Sequence, residues 1–130
     1  MDLQQFRNIV AGREIESASG RWLASANPFT GQDWSSVPRC DAEDVERAVA
    51  AAHSALSTGD WPRMTATARG KLLRRLAELI ERDAESLAAL EVRDNGKLYA
   101  EMLAQVKYLP EYYTYFGGLA DKVEGSVLPS

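Results

Sequence analysis

The spacing of apolar residues along the chain changes near residue 40. Before that point, short apolar pairs are separated by glycines and prolines, a pattern typical of short strands joined by tight turns. We predict strands over residues 21–27 and 33–37, connected by a turn at Phe29-Thr-Gly-Gln32. Residues 1–40 are therefore expected to form short β-strands and turns.

From Asp41 onward the apolar residues follow a helical period. Asp41 is a good N-cap, and acidic residues follow it in the first turn, where the helix dipole favours negative charge. Gly59 is expected to end this first helix. Its apolar positions at helical spacing are Val45, Ala48, Val49, Ala52 and Leu56.

A second amphipathic segment is predicted after Thr65, which can cap it, with a small break near Asp83. The opposite face is rich in arginine, lysine and glutamate and is interpreted as a solvated surface. The apolar face of this segment consists of Leu72, Leu73, Leu76, Ile80, Leu87 and Leu90.

Asn95-Gly96 is expected to end the second segment, because glycine readily adopts the positive φ found just after helices. A third helical region is predicted from about Leu98, with Pro110 kinking or restarting it and Gly125 ending it. Residues 41–125 are thus expected to be helical, and residues 126–130 to begin another strand. The segment as a whole should be mostly α-helical with an amino-terminal β-hairpin or meander.

Composition excludes several functional classes. The 130 residues carry 15 basic and 19 acidic side chains without a dominant basic patch, which argues against nucleic-acid binding. No apolar run approaches the roughly 18 residues that a membrane helix needs, and no apolar leader is visible near the start. We therefore expect a cytoplasmic protein without nucleic-acid or membrane partners.

Cys40, the single cysteine, is the only candidate for a thiol nucleophile. A nucleophilic cysteine needs an activating base, and the single histidine, His53, lies about three turns along the following helix. A structural role for Cys40 is therefore favoured, and one histidine with one cysteine does not make a metal site. No catalytic group is assigned within the chain.

Tyr108, Tyr112 and Tyr115 share one helical face, at spacings of four and three. Aromatic residues at such spacing usually pack into a core. The alternative is an apolar wall of a pocket with hydroxyl groups at its rim. Both interpretations remain open from the spacing alone.

A set of short motifs, in a fixed order, resembles the amino-terminal region of the NAD(P)-dependent aldehyde dehydrogenase superfamily. The resemblance covers nearly the whole chain from about Ile9. The ordered set of motifs is far more specific for the family than any single motif. The motifs are Ala26-Asn-Pro-Phe-Thr-Gly31, residues 42–52, Trp61-Pro-Arg-Met-Thr65, Arg69-Gly-Lys-Leu-Leu73, residues 76–82, Leu90-Glu-Val-Arg-Asp-Asn-Gly-Lys97 and Tyr115-Phe-Gly-Gly-Leu-Ala-Asp-Lys122.

The resemblance implies an α/β parent fold, with residues 41–125 as the helical part of a cofactor-binding domain. It also implies that the catalytic cysteine, the general base, the oxyanion-hole asparagine and the NAD or NADP site lie downstream. Such an enzyme oxidises a small-molecule aldehyde to an acid through a cysteine thioester, commonly as a homodimer or homotetramer. The 130 residues alone are then expected to be inactive.

Two alternatives to this interpretation stay open. One is a CoA-acylating relative, which shares the fold and transfers the acyl group to CoA instead of water. The other is a stand-alone helical interaction module without catalysis.

Two groups of site residues follow from the resemblance. The backbone carbonyls of Ser25 and Ala26, with the carboxylate of Asp94, match a monovalent cation site for Na⁺ or K⁺. The alternative is that Asp94 only caps a turn or pairs with a neighbouring base. Tyr108, Leu109 and Tyr112 match positions that line an aldehyde channel, and they would suit an aromatic, cyclic or quaternary-ammonium aldehyde.

The chain also departs from the family pattern, which argues against assigning a subfamily. Glu14 stands where tryptophan is frequent, Gln105 where aspartate is frequent, and Pro110 is unusual within its helix.

Overall fold

The computed structural model describes residues 3–128, and these form two compact units. The first, which we call the sheet unit, comprises residues 3–63 and 91–97. The second, the helix unit, comprises residues 64–90 and 98–128. Each unit has its own interior, and the candidate site residues are divided between them.

The sheet unit contains a two-stranded hairpin and a separate three-stranded sheet. The strands are β1 (Gln4–Gln5), β2 (Asn8–Val10), β3 (Arg13–Ile15), β4 (Trp22–Ala26) and β5 (Asp33–Pro38). β2 and β3 pair antiparallel through a turn in which Ala11 and Gly12 both have positive φ, as a type I′ turn requires. In the larger sheet, β5 lies between parallel β1 and antiparallel β4. The two strands predicted between residues 21 and 37 are confirmed.

The turn between β4 and β5 is held by the side chain of Asn27, whose amide oxygen accepts a hydrogen bond from the backbone of Phe29. Gly31 adopts a φ of 67° and donates its own N–H to the Asn27 carbonyl. These contacts explain why an Asn-Pro-Phe-Thr-Gly sequence makes a tight connection here.

Helix α1 (Ala42–Ser57) starts at a reciprocal capping box formed by Asp41 and Asp44. The predicted cap at Asp41 is confirmed, and Asp44 proves to be buried, with 5% of its surface exposed. The Asp44 carboxylate also accepts a hydrogen bond of 2.8 Å from the Ala18 backbone, which ties the loop before β4 to the helix. The helix ends at Ser57, just before the predicted stop at Gly59. A 3₁₀ turn follows at Trp61–Arg63.

The helix unit is built from α2 (Ala66–Arg82), the first part of α3 (Ala84–Asn95) and α4 (Tyr99–Leu119). Thr65 caps α2 through its side chain, and the break at Asp83 separates α2 from α3, both as predicted. Gly96 has a φ of 74° directly after α3, so the predicted glycine stop is also confirmed.

The contact between α2 and α4 depends on two glycines. A Cβ atom placed on Gly117 would lie 2.9 Å from the Gly70 carbonyl oxygen, and one placed on Gly70 would meet the Gly117 backbone. Small residues at both positions therefore allow the two helices to approach closely. The buried apolar residues of this unit are Ala77, Ala84, Ala88, Met102 and Val106.

The third helical region differs from the prediction in two respects. Pro110 lies inside a continuous α4 and does not restart the helix, because Met102 and Val106 before it and Gly117 after it are all buried, and this packing maintains the helix. The helix also ends at Leu119 and not at Gly125, after two consecutive glycines that lower its helix propensity.

No strand forms over residues 126–128 of the predicted 126–130 segment, and residues 129–130 lie outside the described residues. Separately, none of the helices within residues 3–128 is long and apolar enough to cross a membrane.

Candidate functional site

The last turn of α3 and the residues after it, Glu91–Lys97, contact the three-stranded sheet and its β4–β5 turn within the sheet unit. The guanidinium of Arg93 lies 4.9 Å from the centre of a Trp34 ring, within cation–π range. A Cβ atom on Gly96 would lie 3.2 Å from Pro28, so the backbone passes closely over the β4–β5 turn. These contacts bring the Asp94 carboxylate to the edge of β4.

An irregularity in the sheet explains the position of Trp34. The pairing shifts between Ser25 and Ala26, which face Ser35 and Asp33 respectively, so Trp34 is the extra residue of a β-bulge. Bulges redirect side chains and increase strand twist. The Trp34 ring makes an edge contact with Phe6 at 5.9 Å, and its indole nitrogen is buried without a hydrogen-bond partner among the described residues.

Ser25 and Asp94 meet directly, although 69 positions separate them. The Ser25 hydroxyl donates a hydrogen bond of 2.7 Å to an Asp94 carboxylate oxygen. Ala26, the third residue of the predicted cation site, lies beside Ser25 at the bulge. The structure thus brings Ser25 and Asp94 together through a hydroxyl group, whereas the family resemblance implies a role for the Ser25 carbonyl.

The residues after Asp94 form a well-defined turn. The Asn95 side chain donates to the Glu91 carboxylate at 2.9 Å and accepts a hydrogen bond from the Lys97 backbone at 2.9 Å. This arrangement supports the interpretation of residues 94–97 as a helix-ending turn. Within residues 3–128, no three histidine, cysteine, aspartate or glutamate side chains cluster as a metal site would require.

The second candidate site is a surface groove on α4, which we call the aromatic groove. It has a volume of about 330 Å³ and is lined by Tyr108, Glu111, Tyr112, Tyr115 and Phe116. Two edge-to-face ring pairs shape it: Tyr108 with Tyr112 at 5.2 Å, and Tyr115 with Phe116 at 5.3 Å.

The tyrosine face is exposed among the described residues. Tyr108, Tyr112 and Tyr115 are 58%, 52% and 63% exposed, so they do not pack into a core formed by residues 3–128. Leu109, the other predicted channel residue, is 41% exposed and is not among the residues that line the groove.

Sequence reasoning placed Tyr115 on the tyrosine face but missed two other members of the groove, Glu111 and Phe116. Glu111 lies three positions after Tyr108, and Phe116 lies four positions after Tyr112. Residues at these spacings are neighbours on a helix, so the pattern could have identified them.

Cys40 has contacts that do not activate a thiol. Its sulfur accepts a hydrogen bond from the Asn8 side-chain amide at 3.0 Å and lies 3.7 Å from the Pro38 carbonyl oxygen. Neither group takes up a proton near neutral pH. These contacts favour the structural role that the sequence suggested for Cys40.

The groups with shifted pKa values lie away from both candidate sites. Hydrogen bonds and the charge of Arg82 hold the pKa of Asp83 below its ordinary value, and Asp83 correspondingly raises the pKa of Arg82. In the same way, Lys122 lowers the pKa of Asp121 after the end of α4. These shifts result from neighbouring ion pairs at helix ends and do not mark a catalytic acid or base.

Comparison with known proteins gives consistent matches to one family. The model of the aldehyde dehydrogenase family matches residues 15–130. The chain is 44% identical over 127 residues to (Z)-2-((N-methylformamido)methylene)-5-hydroxybutyrolactone dehydrogenase from Acinetobacter baylyi, covering 98% of this chain and 26% of that protein. It is 43% identical over 116 residues to human mitochondrial aldehyde dehydrogenase, covering 88% of this chain and 22% of that protein.

Solved structures give the same result. An NAD-dependent aldehyde dehydrogenase from Sinorhizobium meliloti superimposes with a TM-score of 0.91 at 31% identity, over 96% of this chain and 25% of its own. A betaine aldehyde dehydrogenase from Staphylococcus aureus, solved with NAD⁺, gives 0.89 at 36% identity, over 95% and 25%. The chain therefore spans about a quarter of the length of the relatives it matches.

Proposed function

Because the chain belongs to the aldehyde dehydrogenase family, we propose that it contributes the amino-terminal quarter of an enzyme that oxidises an aldehyde to a carboxylic acid. The observation that carries this proposal is the family match over residues 15–130, together with the superposition on an NAD-dependent member. When bound, NAD⁺ or NADP⁺ supplies the acceptor for the hydride that leaves the aldehyde carbon.

The nucleophilic cysteine of this reaction belongs, in our proposal, to a part of the polypeptide beyond these 130 residues. Cys40 is the single cysteine here, and it contacts an amide and a carbonyl, not a base. A thiolate attacking the aldehyde, followed by hydrolysis of the resulting thioester, needs an activated thiol and a base for water. The residues of this chain would instead support the cofactor domain and line the substrate entrance.

Large exposed apolar side chains on α1 favour this role as a support for the cofactor domain. Val45, Val49 and Leu56 on α1 are 57–63% exposed, although their helical spacing is that of a buried face. Contiguous exposed apolar surface commonly marks an interface. We propose that other parts of the same polypeptide cover this face, with residues 41–125 as the helical part of the cofactor-binding domain.

The aromatic groove is proposed to form one wall of the aldehyde channel. Tyr108 and Tyr112 line it together with Tyr115 and Phe116, and Leu109 is proposed to border it. Its volume lies at the lower end of the range for small-ligand pockets, and its rings offer apolar contact with hydroxyl groups at the rim.

A monovalent cation site is proposed at the carboxylate of Asp94 and the backbone carbonyls of Ser25 and Ala26. Two backbone carbonyls and a single carboxylate provide hard oxygen donors, which are the type of ligand that Na⁺ or K⁺ binds. Measurement of thermal unfolding of the complete polypeptide in KCl, NaCl and choline chloride at equal ionic strength tests this proposal. A higher Tm in K⁺ or Na⁺ that disappears in Asp94→Ala is expected, whereas equal Tm values in all three salts would reject the cation.

We further propose that the complete protein assembles as a homodimer or homotetramer in the cytoplasm. Some relatives are named as mitochondrial, so the cellular compartment differs between members of the family. Light scattering on the complete polypeptide checks the assembly: a mass of one chain at micromolar concentration would contradict it.

The central test of the proposed function is an activity assay on the complete polypeptide. We expect formation of NADH or NADPH that depends on an aldehyde, unchanged by Cys40→Ser within about twofold because Cys40 touches no base. Faster turnover with CoA and release of acyl-CoA would favour the CoA-acylating alternative. Absence of aldehyde-dependent reduction with aliphatic, aromatic and charged aldehydes would reject the proposal.

A further inference from the structure

Asn95-Gly96 is a chemically reactive pair that the proposed function does not use. The backbone nitrogen of Gly96 can attack the side-chain amide carbon of Asn95, because glycine has no side chain to obstruct the ring that closes. As the nitrogen–carbon bond forms, the Gly96 proton passes to the departing amide group, which leaves as ammonia, and a five-membered succinimide remains. Water then opens the ring at either carbonyl group and gives aspartate or isoaspartate. The reaction consumes only water and releases only ammonia.

The other asparagines of the chain are followed by residues that oppose this chemistry. Asn27 precedes Pro28, whose nitrogen carries no hydrogen to lose. Asn8 precedes Ile9, whose branched side chain is stiff and crowds the attacking nitrogen. Asn95 is therefore the asparagine whose sequence favours ring closure.

The folded turn holds the reacting atoms of Asn95 and Gly96 in an unfavourable arrangement. Asn95 is the last residue of α3, and a helical ψ keeps its side chain out of the plane that the closing ring needs. The Gly96 N–H donates a hydrogen bond of 2.9 Å to the Val92 carbonyl, so the attacking nitrogen is occupied. The Asn95 amide is held on both sides, by the Glu91 carboxylate and by the Lys97 N–H, each at 2.9 Å. The reaction therefore requires that this turn open.

We propose that Asn95 is a deamidation site controlled by the end of α3. Asn95 is protected while the turn is closed and is converted to aspartate or isoaspartate when the turn opens. The exposed residues 93–97 lie at a helix end, where local opening requires less free energy than in a helix interior.

The product of this reaction opposes closure of the same turn. The new carboxylate replaces the amide group that donates to Glu91, and it lies directly after Asp94. Like charges at neighbouring positions of a helix destabilise it. Isoaspartate also lengthens the backbone by one carbon atom. Deamidation of Asn95 therefore keeps the end of α3 open.

The rate of deamidation in the complete polypeptide, folded in buffer and unfolded in urea at the same pH and temperature, tests the protection. Digested samples are analysed by mass spectrometry at Asn8, Asn27 and Asn95. We expect Asn95 to react at least about tenfold more slowly in the folded state, and to react faster in urea than the other two asparagines. Equal rates at Asn95 in both states would overturn the protection, and an Asn95 that is unreactive in urea would overturn the site.

Glu91→Ala tests whether the observed contacts of the turn provide this protection. We expect deamidation of Asn95 in the folded state to become about fivefold faster, because one hydrogen bond of the closed turn is lost. Glu85→Ala, an exposed acidic position at the other end of α3, is the matched control and should leave the rate unchanged. Rates in urea should agree between the variants, which separates opening of the turn from the chemistry. No acceleration in Glu91→Ala, or equal acceleration in both variants, would overturn control by this turn.

Asn95→Asp reproduces the aspartate product and tests its effect on the turn. Hydrogen exchange of the complete polypeptide, followed in the peptide that contains Gly96, should show about fivefold less protection than in the unsubstituted protein. Asn8→Asp, which adds the same charge on β2, is the control and should leave the protection of this peptide unchanged. Unchanged protection in Asn95→Asp would overturn the proposed effect of deamidation on the end of α3.

Discussion

The sheet unit and the helix unit bury different kinds of side chain. In the sheet unit, the buried polar residues are Ser17, Ser35, Ser36 and Asp44, and each small polar group needs a partner. In the helix unit, the buried apolar residues are alanines with Met102 and Val106, and two glycines set the spacing of α2 and α4. Hydrogen bonding therefore dominates one interior, and close contact of small residues dominates the other.

This difference follows from the elements themselves. Strands of two to six residues offer little surface for packing, and the sheet unit connects its loops through polar contacts such as Asp44 with Ala18. Helices of 17 and 21 residues can pack along their length, provided that their backbones come close. We expect the two units to respond differently to substitution, and four changes test this expectation.

The largest effect is expected from Gly70→Ala. Its new methyl group would meet the backbone of Gly117, which cannot move aside as a side chain could, and α4 would be displaced. We expect the free energy of unfolding in urea to fall by about 3 kcal/mol. Gly118→Ala is the matched control: nothing lies within 4 Å of its new methyl group, so stability should stay equal or rise by about 0.5–1 kcal/mol. Equal effects at both positions would contradict glycine-dependent packing.

The next effect is expected in the sheet unit, from Asp44→Ala. The substitution removes the acceptor for the backbone N–H groups of Ala18 and Asp41 and leaves both donors unpaired. We expect a loss of about 2 kcal/mol in the free energy of unfolding. Glu46→Ala, an exposed acidic position on the same helix, should cost less than about 0.5 kcal/mol. A loss below 0.5 kcal/mol for Asp44→Ala would show that polar contacts do not stabilise this interior.

A smaller effect is expected from the contact between Ser25 and Asp94, because Asp94 is exposed. Ser25→Ala and Asp94→Ala should each destabilise the chain by about 1 kcal/mol, and the double variant should lose little more than either single one. The double-mutant cycle is run in choline chloride, so that no Na⁺ or K⁺ contributes. Additive losses would indicate that the two side chains act independently.

The smallest effect concerns pH and the ion pair between α2 and α3. Arg82 lowers the pKa of Asp83 in the folded chain, so this carboxylate stabilises the fold above its unfolded pKa of about 3.9 and loses that contribution as the pH falls through the lower folded value. In Arg82→Gln, carboxyl NMR titration should show the pKa of Asp83 rising towards its ordinary value. The pKa of Asp121, lowered by Lys122, is the internal control and should not change.

Local signals predicted much of the fold. The caps at Asp41 and Thr65, the break at Asp83 and the glycine stop at Gly96 all follow from interactions within a few residues, and all are confirmed. The continuity of α4 through Pro110 has no local signal, because it depends on burial of residues on both sides of the proline. Packing between distant segments is not visible in local propensity.

The candidate sites show the same limit. The shared face of Tyr108 and Tyr112 was visible from helical spacing, but their exposure was not, because it depends on what else packs against α4. The bulge that places Trp34 beneath Arg93 has no signal in the strand sequence, and neither has the hydroxyl contact between Ser25 and Asp94. Only the family resemblance joined positions so far apart.

In the proposed function, this chain supports aldehyde oxidation without containing the reacting groups. The most direct measurement is the formation of NADH by the purified 130-residue chain, with an aldehyde and NAD⁺, beside the same assay on the complete polypeptide. We predict no rate above the blank for the chain and aldehyde-dependent turnover for the complete polypeptide. A rate proportional to the concentration of the 130-residue chain, and abolished by Cys40→Ser, would contradict the account.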